Sequence, residues 1–324
     1  VKILIIKPSA LGDIVQALPV ATALRRRYPK GEIHWLVFSP FRELLEHHPA
    51  INQVVVWERR GWWRPQKWGS LRRQARQLRE EHYDLVIDLQ GLLRTGLLTW
   101  LTQAPRRVGL KSAREGAIYA YNEVVEDYPL AAAERYLEVV RYLGIEPALY
   151  DCGLSPRVPM PQPAPPAEYV VIHPYSQWRT KLWPWRYYQQ LTRECPELHF
   201  LVVGKGPWFP LDGINVTDWR ESLTLEQLIT VLAGAKAVVS TDSGPGHLAA
   251  ALGTPVLSLF GATDWRKTKP VGDRVAVETY AVFCSPCEKR ICQHEPYMEC
   301  MAGIPPQLVK NELWKLLSQP VLNQ

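Results

Sequence analysis

The stretch VVSTDSGPGHLAAALGTPVLSLFG, residues 238–261, decides the fold. Both of its ends read as apolar strand. Between them stands Thr241-Asp242-Ser243-Gly244-Pro245-Gly246-His247, a polar turn with two glycines and a proline that opens a short helix. Irregular polar backbone between core elements is costly unless something satisfies it. An aspartate and a histidine five residues apart at such a turn therefore point to a ligand.

The same rhythm runs through the rest of the chain. In the first half, strands are expected at Lys2–Lys7, His34–Phe38, Gln53–Trp57 and Asp84–Leu89, with a shorter one at Arg107–Leu110. Helical patterns lie at about Gly12–Tyr28, Ser70–His82, Leu92–Leu101 and Leu130–Leu143. Alternation of this kind argues a parallel, doubly wound sheet. Six prolines then fall between Ser155 and Pro166 and read as a semi-rigid linker. Beyond them the alternation restarts, with strands at Tyr169–His173, Leu198–Gly204, Ala237–Thr241 and Val256–Phe260. Helices are expected at Trp185–Cys195, Thr224–Ala233, from Pro245, and at Gln307–Leu317; Thr224 and Gln227 form a capping-box pattern. The expected organisation is an α/β domain over 1–154, a linker over 155–168 and a second α/β domain over 169–324. A cleft separates the two domains, and the last helix is free to pack back on the first.

The chain has 324 residues, 47% of them hydrophobic, enough for two cores. It contains no apolar run of membrane-spanning length, and its first residues enter a strand directly, so a soluble, cytoplasmic protein is expected. Six cysteines in a chain this long do not suggest a disulfide framework. Charge is uneven: residues 1–150 hold 22 Lys and Arg against 16 Asp and Glu, whereas the remainder balances at 16 of each. Residues 59–79 alone carry eight basic residues and no acidic one, which points to an anionic partner. Arg72, Arg76 and Arg79 share one helical face, with Leu71, Ala75 and Leu78 opposite. No nucleic-acid reading motif accompanies the basic run, which argues against nucleic acid.

Three strand-to-helix turns carry candidate chemistry, because ligands of open parallel sheets gather at the carboxyl ends of strands. KPSALGDIVQALP, residues 7–19, offers Ser9, Gly12 and Asp13; on the residues alone Asp13 is equally a helix cap. HPYSQWRTKLWP, residues 173–184, offers Ser176, Thr180 and Lys181 to phosphate oxygens, or else is a surface loop anchored by Trp183. In the third, the backbone amides of Ser243 and Gly244 suit a diphosphate and Asp242 suits sugar hydroxyls; His247 is either part of that site or a satisfied core histidine.

These three segments, in this order and separation, resemble glycosyltransferase family 9, the ADP-heptose:lipopolysaccharide heptosyltransferases of the GT-B fold. The resemblance spans Lys2 to about Pro305. It implies inverting transfer of L-glycero-D-manno-heptose from ADP-heptose to the lipopolysaccharide inner core, with no cofactor and no metal. Carried over by position, Asp13 is the implied general base, with Ser9 and Gly12 beside it on the acceptor side. Lys181 and Ser176 are implied donor-phosphate contacts, Asp242 a contact of heptose hydroxyls, Ser243 and Gly244 the diphosphate pair, and His247 the histidine of the following helix. A ribose-binding glutamate found in some members has no counterpart in GKGPWFPLDGINVTDWRES, residues 204–222.

An acceptor bearing phosphates and acidic sugars suits Arg59, Arg60 and Arg64, and the neighbouring Trp62, Trp63 and Trp68 suit an inner-membrane surface beneath a monomeric, peripheral enzyme. Cys284, Cys287, Cys292 and Cys300 form a C-x2-C-x4-C-x7-C run dense enough for zinc or an iron–sulfur cluster. Its spacing matches neither the common zinc-ribbon nor the ferredoxin pattern. The alternatives to a heptosyltransferase are an inverting GT-B transferase using another nucleotide sugar, such as a UDP sugar, and a non-catalytic nucleotide-binding module.

Overall fold

Ile3, Leu4, Ile5 and Ile6 are wholly buried, as are Val238 and Val239, so these strands are covered on both faces. That is the signature of parallel sheets sandwiched between helices. The computed structural model describes residues 1–58, 68–127 and 131–319. The chain divides into two compact units, Val1–Gly153 and Leu154–Gln324.

In the first unit the strands are β1 (Lys2–Ile6), β2 (Glu32–Phe38), β3 (Gln53–Trp57), β4 (Leu85–Asp88), β5 (Arg106–Leu110) and β6 (Glu123–Val125). They alternate with helices α1 (Leu11–Arg27), α2 (Arg42–Leu45), α3 (Trp68–Glu80), α4 (Leu93–Leu101) and α5 (Ala132–Tyr142). The sheet order is β3-β2-β1-β4-β5-β6, every pair parallel.

The second unit repeats the plan. Its strands are β7 (Val170–His173), β8 (Phe200–Gly204), β9 (Val216–Arg220), β10 (Ala237–Thr241), β11 (Val256–Phe260) and β12 (Val275–Thr279). Its helices are α6 (Trp185–Arg193), α7 (Leu225–Ala233), α8 (Gly244–Ala251), α9 (Trp265–Thr268), α10 (Glu299–Ala302) and α11 (Pro306–Ser318). The order is β12-β11-β10-β7-β8-β9, again all parallel. Both sheets are Rossmann-like, and the GT-B type of α/β fold expected from the sequence is the observed one.

Each sheet reverses direction at one place, between β1 and β4 in the first and between β7 and β10 in the second. The crevice at the carboxyl ends of such strands is where doubly wound folds hold ligands. The polar turn at 242–247 follows β10, residues 174–176 follow β7, and Lys7–Asp13 follows β1, so all three candidate turns lie at reversal points.

The expected strands and helices are present with shifts of a few residues at their ends, and the capping box of α7 forms with Gln227 N 3.2 Å from Thr224 Oγ1. β6, β9 and β12 were not foreseen. β6 is three residues long, and VTDWR and VAVET lie at sheet edges, half-exposed, without the continuous apolar run that marks a central strand. The proline-rich segment has no helix or strand, and it is tied to the second unit, where Thr230 Oγ1 donates to the Val158 carbonyl at 2.8 Å. Helix α11 belongs to the second core, into which it sends Val309, Leu313 and Leu316.

Candidate functional site

In the second unit, the ends of three strands, β7, β10 and β11, converge on Asp242. Its side chain is 7% exposed, and Oδ2 accepts two hydrogen bonds of 2.6 Å, one from Lys181 Nζ and one from Thr263 Oγ1. Ser176 Oγ donates to the Asp242 carbonyl at 3.1 Å. Thr241 Oγ1 donates to the Tyr175 carbonyl at 3.0 Å, so the turns after β7 and β10 are laced together. Lys181 Nζ also sits 4.5 Å from the centre of the Trp178 ring, a cation–π contact that fixes the ammonium further.

Ser243 is the N-cap of α8, in extended conformation, and both Ser243 and Gly244, at the helix start, are half-exposed residues. The Ser243 hydroxyl is engaged inward, 3.0 Å from His173 Nδ1 and 2.9 Å from Ser240 Oγ. Ser240 Oγ donates to the Thr241 carbonyl at 2.7 Å. One proton assignment uses each group once. His173 Nδ1–H donates to Ser243, Ser243 to Ser240, and Ser240 to the carbonyl.

That hydrogen-bond chain needs only a proton on Nδ1, and burial keeps the ring neutral by pushing the His173 pKa down to about 4. Gly204 closes the pocket from the β8 side. Its φ is +114°, and a Cβ there would stand 2.7 Å from His173 Cδ2, so no side chain fits. His247 is buried in the first turn of α8.

A pH dependence follows. The unfolded imidazole binds a proton below about pH 6.5, whereas the folded ring stays neutral until about pH 4. The folded pKa is depressed, so this stabilisation is complete above the unfolded value and is lost as pH falls from about 6.5 towards 4. The loss is on the order of 3 kcal/mol for so buried a ring. Urea midpoints measured across that window should fall for the wild type and fall less steeply, by about one proton, for His173→Asn. Equal slopes would remove His173 from the buried network.

The first unit offers two carboxylates at its reversal point, and they differ in kind. Asp88, at the end of β4, is fully buried, and burial pushes its pKa up. It is saturated by the amides of Gln90 (2.9 Å) and Gly91 (3.1 Å) and by the Tyr121 hydroxyl (2.8 Å). Those bonds build the turn into α4. Asp13 is half-exposed in the first turn of α1, accepting from Ala10 N at 3.1 Å and from the Tyr136 hydroxyl at 3.5 Å. It both caps the helix and keeps a solvent-facing carboxylate. Ser9 and Gly12 flank it, likewise half-exposed.

Buried Lys7 lies beneath this turn, with Nζ 4.7 Å from the Tyr136 ring centre and 3.3 Å from the Leu89 carbonyl. Burial lowers its pKa, but Tyr136 and Asp13 outweigh that and hold it above the usual lysine range. Lys7, Tyr136, His173, Ser240 and Thr263 escaped the sequence reading. Lys7 and His173 open the quoted turns and Thr263 lies just beyond a strand end, whereas Tyr136 and Ser240 carried no signal.

Arg59, Arg60 and Arg64 lie outside the described residues, as do Trp62 and Trp63. Arg72, Arg76 and Arg79 are exposed on α3, opposite buried Leu78 and half-buried Ala75.

The four clustered cysteines are free thiols, with Cys300 buried and the other three half-exposed. Burial, and then the neighbouring thiols, push Cys300 up to about 11. Among the described residues no three His, Cys, Asp or Glu side chains form a group able to hold a metal ion. The cysteine segment does brace the Asp242 site. The Lys289 carbonyl accepts from Thr180 Oγ1 at 2.7 Å, next to Lys181, and Glu288 N donates to the Ala262 carbonyl at 2.8 Å, next to Thr263.

Comparison with known proteins yields a consistent group. The family model for glycosyltransferase family 9 (heptosyltransferase) matches residues 71–203 and 221–298. Lipopolysaccharide heptosyltransferase 1 of Pseudomonas aeruginosa is 33% identical, over 98% of this chain and 99% of that protein. Lipopolysaccharide heptosyltransferase 2 of Escherichia coli is 27% identical, over 98% of this chain and 99% of that one. Among solved structures, E. coli heptosyltransferase WaaC with ADP superposes with a TM-score of 0.78 at 24% identity, covering 98% of this chain and 100% of that one. The same enzyme with ADP-2-deoxy-2-fluoro heptose gives 0.75 at 25% identity, covering 97% and 99%.

Proposed function

Because the chain belongs to glycosyltransferase family 9, the heptosyltransferases, we propose that it moves L-glycero-D-manno-heptose from ADP-heptose to the inner core of lipopolysaccharide with inversion. The observation that carries this reading is the convergence on Asp242. A lysine and a threonine hydroxyl hold one carboxylate at a sheet reversal point, in the residue just before a helix start. Such a site has positive groups for a diphosphate and an acceptor for sugar hydroxyls side by side.

In the proposed reaction Asp13 takes the proton from an acceptor hydroxyl as that oxygen attacks the anomeric carbon of the heptose. The bond from that carbon to the diphosphate oxygen breaks, and ADP leaves with the electron pair. Lys181 and the amides of Ser243 and Gly244 stabilise the developing charge. Lys181 has three N–H donors, so it can keep Asp242 while reaching phosphate. Charge neutralisation of this kind needs no metal, and ADP binding is expected to persist in EDTA. Donor contacts belong in this reading to the second unit, and acceptor contacts, including Arg59, Arg60 and Arg64, to the first. A lipid-borne acceptor would bring the protein to the cytoplasmic face of the inner membrane.

Calorimetric titration with ADP, GDP and UDP in EDTA tests the donor assignment. ADP should bind at least about tenfold more tightly than the others. A preference for UDP would favour a different nucleotide sugar, and loss of binding in EDTA would sink the metal-free clamp. The same titration separates the two roles of Ser243. Ser243→Ala leaves the amides in place, so ADP affinity should stay within about threefold while stability drops by about 1–3 kcal/mol as the His173 donor loses its partner. Ser243→Pro deletes an amide and should cost about tenfold or more in affinity. Equal affinity losses would mean that the hydroxyl itself grips the donor.

A further inference from the structure

Helix α4 is built inside out relative to an ordinary surface helix. Its inward face is Thr95, Gly96, Leu98 and Thr99, all buried. Its outward face is Leu93, Leu97 and Trp100, spaced at i, i+4 and i+7 and 58%, 45% and 52% exposed. A solvated face normally carries charged or polar side chains. Single exposed apolar residues need no explanation, but a contiguous stripe of them marks a contact surface.

Tyr119, 90% exposed, stands on the turn packed beside α4. Helix α3 packs on the other flank, and Leu78 of α3 and Leu98 of α4 enter one core, so the outer faces of both helices look the same way. That outer face of α3 presents Arg72, Arg73 and Arg79, together with Arg76, which is ion-paired with exposed Glu80 at 2.7 Å. Apolar side chains with an aromatic ring, bordered by guanidinium groups, fit a surface that is apolar beneath an anionic layer.

We infer that the outer faces of α3 and α4 dock on the surface of a bilayer rich in anionic lipid. Leu97 and Trp100 enter the headgroup boundary, and the arginines pair with lipid phosphates. The choice of occupant rests on the proposed lipid-borne acceptor and on this charge complementarity.

Co-sedimentation of the full chain with vesicles of phosphatidylcholine alone, or enriched in phosphatidylglycerol, tests it without substrate. The wild type should partition to the anionic vesicles and be partly released by salt. The double variant Leu97→Asp, Trp100→Asp should bind about tenfold less, and Arg72→Glu with Arg73→Glu should lose the preference for anionic lipid. Both variants change exposed positions, and both should keep wild-type transfer to a delipidated, water-soluble acceptor. Equal vesicle binding by the wild type and Leu97→Asp, Trp100→Asp would overturn the inference. So would a wild-type dimer that this variant converts to monomer, since a second copy would then be the occupant. Neither outcome touches the proposed reaction, whose failure would appear as absent transfer to the soluble acceptor.

Discussion

Asp13→Asn should lower turnover by about 10²–10⁴-fold while ADP affinity and thermal stability stay near wild type. The asparagine oxygen can still accept from Ala10 N, so the helix start survives, but the amide cannot take a proton from the acceptor. The two carboxylates at the reversal point of the first sheet are distinguishable by the same experiment. Asp88→Asn should mainly cost stability, because three donors already surround that buried side chain and build the turn into α4. Near-normal turnover by Asp13→Asn, measured at saturating donor, would reduce Asp13 to a helix cap.

Lys181→Met is the second large effect, and it acts on two quantities. Removing the ammonium leaves the Asp242 carboxylate, 7% exposed, with the Thr263 hydroxyl as its remaining side-chain partner. Breaking a pair this buried from one side costs on the order of 3 kcal/mol. ADP affinity should fall as well, by about 10–100-fold, because a phosphate contact is lost. The double variant Lys181→Met, Asp242→Asn separates the two. Stability should return, since no buried charge is left unpaired, but ADP affinity should not. Recovery of both would mean that Lys181 serves only to neutralise Asp242.

Much of this was legible in the sequence. Buried parallel strands are continuous apolar runs, so β1, β10 and β11 announce themselves, and a polar turn directly after such a run can only be a strand end. Asp13, Lys181, Asp242 and Ser243 were picked out as candidates by that logic. The edge strands β9 and β12 were not, because a half-exposed strand such as VTDWR has no run to detect.

The partners of the site were hidden for a different reason. Thr263 reaches Asp242 from 21 residues away in sequence, and His173 reaches Ser243 across 70. Those meetings are set by strand order, which local pattern does not encode. The inward use of the Ser243 hydroxyl was equally invisible, since it depends on Ser240 and His173 lying beneath the same turn. The contacts of the cysteine segment were hidden in the same way. Lys289 and Glu288, within that segment, brace Thr180 and Ala262 on either side of Asp242, 109 and 26 residues away in sequence.

The most direct test of the central claim is mass spectrometry and NMR of the product formed by the purified chain, in EDTA, from ADP-heptose and an inner-core lipopolysaccharide acceptor. The account predicts that the acceptor gains one heptose with inverted anomeric configuration, that ADP is released, and that Asp13→Asn forms the product far more slowly. An unmodified acceptor with ADP-heptose, together with sugar transfer from a UDP donor under the same conditions, would contradict it.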